Sequence, residues 1–292
     1  MKNKILDGKN VSEQIVKDIK LEIEQIITKN SVKNPSIKIV LVGKNAASES
    51  YVKNKVKLCK KAGIETEILR FEDTISSGQL LHQIEILNNL DIDGFIVQLP
   101  LPSHIDKNLV IEKISPEKDI DGFHPLNFGK MALGQNSLKP ATPYGILKLL
   151  KNQSIETKGK HIVVVGRSNI VGKPLAIMLG NDFEIGRATV TSCDINTPRN
   201  LLIDELKRAD IVIVAVGKPN FLTSNMIKEG SIIIDVGINK LENGKIVGDV
   251  DFEGVLPVCS KITPVPGGVG PMTISALISN TFTAWRKRTF NN

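Results

Sequence analysis

The stretch "VVVGRSNIVGKPL" (163–175) decides the fold. A β-branched apolar run passes directly into Gly166, Arg167 and Ser168, and Gly172 then opens a segment with helical spacing. A strand that turns this tightly into a helix lets the backbone approach an anion, whose charge the helix N-terminus favours. The spacing is G-x-S-x-x-x-G rather than the usual G-x-G-x-x-G, so a tight turn without a ligand stays open on this motif alone. Downstream, "ATVTSCD" (188–194), "DIVIVAVG" (210–217) and "SIIIDVGI" (231–238) read as strands. They are separated by helical segments at 200–209 and 223–230. "AVGKP" and "DVGIN" each set a glycine after an apolar strand, which supports a nucleotide fold.

Upstream, the same alternation occurs independently. "SIKIVLVG" (36–43), "IETEILRF" (64–71) and "DGFIVQLPL" (93–101) read as strands. Segments 48–63 and 76–90 between them have helical spacing, as does 12–30, where Ser12 is the expected N-cap. Such βαβ alternation implies parallel sheets covered by helices. The expected fold is α/β, with two α/β domains and a cleft between them, the second domain being a Rossmann-type doubly wound parallel sheet. The expected division is 1–142 plus 272–292 against 143–271. A turn is expected at "ENGK" (242–245), an amphipathic helix at 274–288, and a looped-out connection within 180–190.

Bulk properties narrow the classes. At 292 residues and 41% hydrophobic, the chain can bury ordinary cores. No apolar run reaches the length of a membrane span, and "MKNKILDGKN" has no signal-peptide core, so a cytoplasmic protein is expected. Cys59, Cys193 and Cys259 are odd in number and far apart, which argues against a disulfide framework or a zinc site; no metal is expected. The net charge of +7 would suit nucleic acid, an anionic small ligand, or no more than a lysine-rich proteome. With dispersed lysines and 4% aromatics, nucleic acid is not the expected partner.

In "SESYVKNK" (48–55), Ser48, Tyr51 and Lys55 fall on one helical face. A tyrosine beside a lysine is proton-transfer equipment when desolvated, and a solvated lysine beside a half-buried ring when not. Arg167 would pair with a 2′-phosphate, which favours NADP, with NAD as the other possibility. Asp194, ending the second strand of this half, either accepts a ribose hydroxyl and opposes a 2′-phosphate, or is a turn residue. Ser192 and Arg199 lie near it in sequence.

"SESYVKNK", "IVQLPLPSHID" (96–106), "SPEKDIDGFHP" (115–125), "GRSNIVGKP" (166–174) and "TPVPGGVGPMT" (263–273) occur together and in this order. In this the chain resembles the bifunctional methylenetetrahydrofolate dehydrogenase/cyclohydrolase family, from residue 5 to 288. The resemblance implies oxidation of methylenetetrahydrofolate with NADP, then hydrolysis to 10-formyltetrahydrofolate, in a homodimer. It implies Lys55 as the catalytic lysine, with Tyr51 beside the folate, Gln98 tuning the lysine and Asp121 gripping the pterin. It implies folate contacts from Ser48, Leu99, Pro100, Pro264, Pro266, Gly267 and Gly268. The implied cofactor contacts are Gly166, Arg167, Ser168, Ile170, Gly172, Ser192, Gly217, Ile238, Gly270 and Thr273. A bare Gly/Pro loop at 264–273 would lie against nicotinamide and pterin. His124 is read as structural or as a site lining. Two departures stand out: Ala141 where the family often has cysteine, and "CDINTPRNL" (193–201) where a basic or His-Ser stretch often follows. The competing readings are a dehydrogenase-only relative, a shikimate-dehydrogenase-like enzyme and a non-enzymatic nucleotide-binding protein.

Overall fold

The computed structural model describes residues 4–181 and 185–290. Residues 182–184 of the connection expected to loop out, and 1–3 of the N-terminal stretch, lie outside the described residues. The elements in chain order are α1 (Gly8–Asn30), β1 (Ser36–Val42), α2 (Ala46–Lys61), β2 (Glu65–Phe71), α3 (Ser77–Asn89), β3 (Gly94–Val97), α4 (Lys107–Lys113) and α5 (Pro125–Ala132). Then come α6 (Ala141–Asn152), β4 (His161–Val165), α7 (Gly172–Gly180), β5 (Thr189–Cys193), α8 (Arg199–Arg208), β6 (Ile211–Val214) and β7 (Ile232–Asp235). The series closes with β8 (Asn239–Lys240), β9 (Ile246–Val247), α9 (Phe252–Val255), β10 (Lys261–Ile262) and α10 (Val269–Phe290). Among the described residues, no helix is long and apolar enough to cross a membrane.

The chain divides into two compact units. One holds Glu13–Ala141 and the segment from Ile274 onward; the other holds Thr142–Thr273 and the N-terminal stretch through Ser12. The expected division had placed that N-terminal stretch with the first domain. Its hydrogen bonds explain the difference. The Leu6 N–H donates to Ile262 O at 2.8 Å and the Lys9 N–H to Gly267 O at 2.9 Å, while Ile5 bridges Ile262. The N-terminal segment thus pairs beside β10.

The first unit is built on a parallel sheet ordered β2-β1-β3. β3 is buried at every residue, as expected of a strand covered on both faces, and this explains its unbroken apolar sequence. Phe95, Val97, Val40, Leu80 and Ile84 form the core against α3. Ser76 caps α3 through a reciprocal capping box with Gln79, satisfying two backbone donors at once. Gly63 ends the α2 segment in the left-handed region, at φ 79°.

The second unit has a five-stranded parallel sheet ordered β10-β7-β6-β4-β5. Counted from β4 as the first strand, this is the doubly wound order 2-1-3-4-5. Its switch point lies between β4 and β6, where such sheets receive ligands. β8 and β9 form a small hairpin at the expected "ENGK" turn, with Gly244 at φ 79°.

Three further expectations need correction. The segment 223–230, expected to be helical, holds only a 3₁₀ turn at Ser224–Met226. Ser12 is not an N-cap: α1 begins at Gly8, and the buried Ser12 hydroxyl instead donates to Pro271 O at 3.0 Å. The last helix is not amphipathic over 274–282, where every residue is buried, and it begins five residues earlier, at Val269. Pro271 sits in its first turn, where a helix has no use for the missing N–H.

Candidate functional site

In the first unit, α2 and the end of β3 bring the predicted proton-transfer residues together. Lys55 is 3% exposed and Gln98 9%. The Lys55 ammonium donates to Gln98 Oε1 at 3.2 Å and lies 3.9 Å from Asp121 Oδ1. It also sits 4.9 Å from the centroid of the Tyr51 ring, one helical turn away. The solvated-lysine alternative is therefore excluded. Gln98 is oriented by its own strand end. Its amide nitrogen donates to Leu99 O at 2.7 Å, which leaves the oxygen for the ammonium. The Leu99–Pro100 peptide that follows is cis. Ser48 is buried in the first turn of α2, where its N–H donates to Asn45 Oδ1 at 3.0 Å.

Asp121 is carried by a loop held from several sides. The Ala141 N–H donates to Asp121 O at 3.1 Å, and the Asn280 amide bridges Ile120 O (2.8 Å) and Lys139 O (2.7 Å). Gly122 is at φ 75°, and a Cβ there would lie 2.2 Å from the Lys139 carbonyl carbon. Burial pushes the Asp121 carboxyl above the usual carboxylate range, while Lys55 pulls it back. The groups around it include a small cavity lined by Phe95, Val97, Leu99, Asp119 and Phe123.

Sequence reasoning missed Asp119 and Asn280. Asp119 is buried and accepts N–H groups from Gly122 (3.1 Å), His124 (2.8 Å) and the Asn127 side chain (3.0 Å). Burial pushes it up to about 7 against those donors. The paired aspartates of "KDIDGF" were a visible signal, with one shaping the loop and the other presented by it. His124 is structural: its Nδ1 accepts the Leu126 N–H at 3.0 Å and caps α5. Ala141 is buried and begins α6.

In the second unit, the turn from β4 to α7 is as close as its glycines require. Gly166 is at φ 116°, and a Cβ there would stand 2.2 Å from Ala215 O. A Cβ on Gly172 would stand 1.8 Å from Gly166 O. Ser168 Oγ accepts the Val171 N–H at 3.1 Å, which folds the turn on itself. This cradle lies at the end of β4, beside the switch point. Gly217 follows β6 at φ 66° with open space where a Cβ would be, and Ile170 and Ile238 are exposed. These features fit a dinucleotide, whose phosphates need a close backbone and a helix N-terminus.

Arg167 and Asp194 prove to be partners. The Arg167 guanidinium lies 3.4 Å from Asp194 Oδ2 and also donates to the carbonyl of Ser192. Asp194 is also a turn residue, since its Oδ1 accepts the Asn196 N–H at 2.9 Å. The turn reading of this residue thus has a hydrogen bond behind it. Arg199 opens α8.

The bare loop divides into two parts. Pro264, Pro266 and Gly267 form a turn with a cis Val265–Pro266 peptide and Gly267 at φ 109°. Gly268 is buried, and its carbonyl would stand 1.9 Å from a Cβ on Gly8. Part of the bareness is thus used by the chain itself. Gly270 and Thr273 lie in the first turns of α10, and the Thr273 hydroxyl donates to Thr142 Oγ1 at 3.1 Å.

Comparison with known proteins gives concordant matches. Residues 6–121 match the catalytic domain of tetrahydrofolate dehydrogenase/cyclohydrolase, and residues 140–289 match its NAD(P)-binding domain. The chain is 58% identical to bifunctional protein FolD 1 of Geobacter metallireducens over 97% of its own length and 98% of the relative's. It is similar to the crystal structure of the bifunctional FolD enzyme of Campylobacter jejuni, with TM-score 0.92 and 47% identity, covering 97% of this chain and 99% of that one. It is also similar to the Trypanosoma brucei dehydrogenase-cyclohydrolase solved with NADP and an inhibitor, with TM-score 0.92, 33% identity and 98% of each chain covered.

Proposed function

Because the chain belongs to the tetrahydrofolate dehydrogenase/cyclohydrolase family, we propose that it oxidises methylenetetrahydrofolate to methenyltetrahydrofolate with NADP and then hydrolyses the product to 10-formyltetrahydrofolate. The observation that carries this reading is the buried Lys55 ammonium flanked by Gln98, Asp121 and the Tyr51 ring.

NADP, when bound, supplies the hydride acceptor for the first reaction. The chain's own residues bind, orient and move protons. Gly166, Ser168, Ile170 and Gly172 would cradle the phosphates, Arg167 would meet the 2′-phosphate with Ser192 beside it, and Gly217, Ile238, Gly270 and Thr273 would border the rest. Asp121 grips the amino-pyrimidine edge of the pterin, a fit of carboxylate to two N–H donors. Ser48, Tyr51, Leu99, Pro100 and the turn of Pro264, Pro266, Gly267 and Gly268 hold the folate. In the hydrolytic step, water adds to the methenyl carbon and loses a proton before the ring opens. Lys55 acts here as the neutral amine, having released its ammonium proton to solvent: it accepts the proton that the water loses and returns it to the departing ring nitrogen, with Gln98 fixing the position of its amine. The working form is read as a cytoplasmic homodimer, and sedentation of the purified chain by ultracentrifugation checks the dimer.

The test is a single absorbance assay. Methenyltetrahydrofolate should form from methylenetetrahydrofolate on adding NADP and should then decay enzymatically. Formation without enzymatic decay would favour the dehydrogenase-only reading, and neither process would overturn both.

Cofactor choice gives a further expectation. The Arg167–Asp194 pair is half-exposed, so its own worth is small, about 0–1 kcal/mol. A 2′-phosphate offers Arg167 a stronger partner, at about 1.5–3 kcal/mol per charge-assisted bond. Arg167→Ala should therefore lower kcat/KM for NADP by roughly 10- to 100-fold and for NAD far less. Asp194→Ser should mildly improve NADP by freeing the arginine. Initial rates with both cofactors at fixed folate check this, and a tenfold preference of the wild type for NAD would reverse the assignment.

A further inference from the structure

Two buried aspartates outside the residues assigned above hold the loops that leave β6 and β7. Asp235, the last residue of β7, is 3% exposed, and Asp249, beyond the β8–β9 hairpin, is fully buried. Each gathers three N–H donors. Asp249 Oδ2 accepts the Val216 and Gly217 N–H groups at 2.7 and 2.9 Å, and its Oδ1 accepts the Asn239 side-chain amide at 2.8 Å. Asp235 Oδ1 accepts the N–H groups of Gly237 and Asp249, both at 2.9 Å, and its Oδ2 accepts that of Val250 at 3.0 Å.

The two carboxylates are therefore linked in series. Asp235 fixes the backbone of Asp249, and the Asp249 side chain fixes the loop that leaves β6. The glycines nearby are spaced for these carboxylates. A Cβ on Gly237 would stand 2.2 Å from Asp249 Oδ1, and one on Gly248 would stand 1.8 Å from Asp235 Oδ2. Gly237, whose place after an apolar strand supports a nucleotide fold in the sequence, is thus required by the protein's own carboxylate. The Val216 and Gly217 N–H groups are turned inward onto Asp249, and this sets the course of the chain through Gly217.

Carboxylate acceptors with several N–H donors make strong, directional anchors. These bonds set the course of the chain beyond β6 and β7, and binding to a preformed loop costs less ordering than binding to a mobile one. We infer that Asp249, seated by Asp235, is a positioning residue for the dinucleotide: it holds the Gly217 and Gly237–Asn239 loops in their binding geometry without touching the cofactor. The inference rests on the reading of this unit as dinucleotide-binding.

The two activities separate a positioning role from a merely structural one. Cyclohydrolysis of methenyltetrahydrofolate needs no dinucleotide, and its proton-transfer residues belong to the other unit. Asp249→Asn retains size but offers one acceptor atom in place of two. It should raise the KM and the Kd for NADP at least tenfold, with the folate KM and the cyclohydrolase rate within twofold of wild type. An unchanged NADP Kd overturns the inference, and so does a parallel loss of both activities in a folded variant. If Asp249→Asn does not fold, as judged by circular dichroism, Asn239→Ala decides. It removes one donor from the carboxylate and should weaken NADP about threefold while sparing the cyclohydrolase; no change in NADP Kd would again overturn the inference. A wild-type protein that does not bind NADP would instead overturn the dinucleotide reading itself.

Discussion

Lys55→Met is expected to abolish the cyclohydrolase and to leave a measurable part of the dehydrogenase. The ammonium is 3% exposed, and its surroundings are a glutamine oxygen at 3.2 Å, a carboxylate at 3.9 Å and an aromatic face at 4.9 Å. Methionine keeps the stem's bulk and removes the only amine in that group of contacts. Water addition to a methenyl carbon needs a proton acceptor and then a donor, and such assistance contributes roughly 10²–10⁴-fold. The oxidation step transfers a hydride and has no such requirement, so it should lose only what Lys55 contributes to orientation. Removing the ammonium also leaves Gln98 Oε1 without its partner and Asp121 without its cation, which costs about 1–3 kcal/mol of stability for a buried polar group. A thermal melt separates that cost from the kinetic effect. Wild-type hydrolysis by the folded variant would show that Lys55 is not the proton carrier. Equal loss of both activities would make it an orienting group for both reactions.

The strands were legible because they are buried on both faces. Runs such as "FIV" in β3 and "IVIV" in β6 have no solvent side to mark with polar residues, and β-branched residues fill them. Other elements were hidden by local chemistry. α6 carries Pro143 and Gly145 in its opening turns, which reads as punctuation, yet proline is tolerated where the N–H has no helical acceptor. α5 is capped by a histidine rather than by Ser, Thr, Asp or Asn. α10 was cut short for the same reason as α6, with Pro271 in its first turn.

Of the candidate site, the residues grouped around Lys55 were legible and their supports were not. Tyr51 and Lys55 share a face by simple helical spacing. Asp119, Asn280, Asp235 and Asp249 act through the backbone of distant segments, and no period in the sequence announces a side chain that accepts N–H groups from elsewhere. The Arg167–Asp194 pair shows the same limit. Each residue suggested a different cofactor when taken alone, and nothing in the sequence spacing marks the contact between them.

Asp121→Ala should raise the folate KM and depress both activities while leaving the NADP KM in place. The carboxylate is presented by a loop that cannot easily move. Asn280 holds the carbonyls of Ile120 and Lys139, Asp119 gathers the following N–H groups, and Gly122 allows the turn against Lys139. Removing one partner of a buried, charge-assisted pair costs roughly 2–5 kcal/mol, which corresponds to about a 30- to 5,000-fold loss in kcat/KM for folate. A pH signature accompanies it. Burial holds the Asp121 carboxyl above its ordinary value, opposed by Lys55. Only the ionised form can accept both pterin donors. As the pH falls, folate binding by the wild type should therefore weaken sooner than an ordinary aspartate would allow. Asp121→Asn cannot titrate and should lose that acid limb. Asp119, raised to about 7 and facing the same loop, remains in the variant. An acid limb that persists unchanged in Asp121→Asn would therefore belong to Asp119, and an unchanged folate KM with normal rates in Asp121→Ala would remove Asp121 from the site.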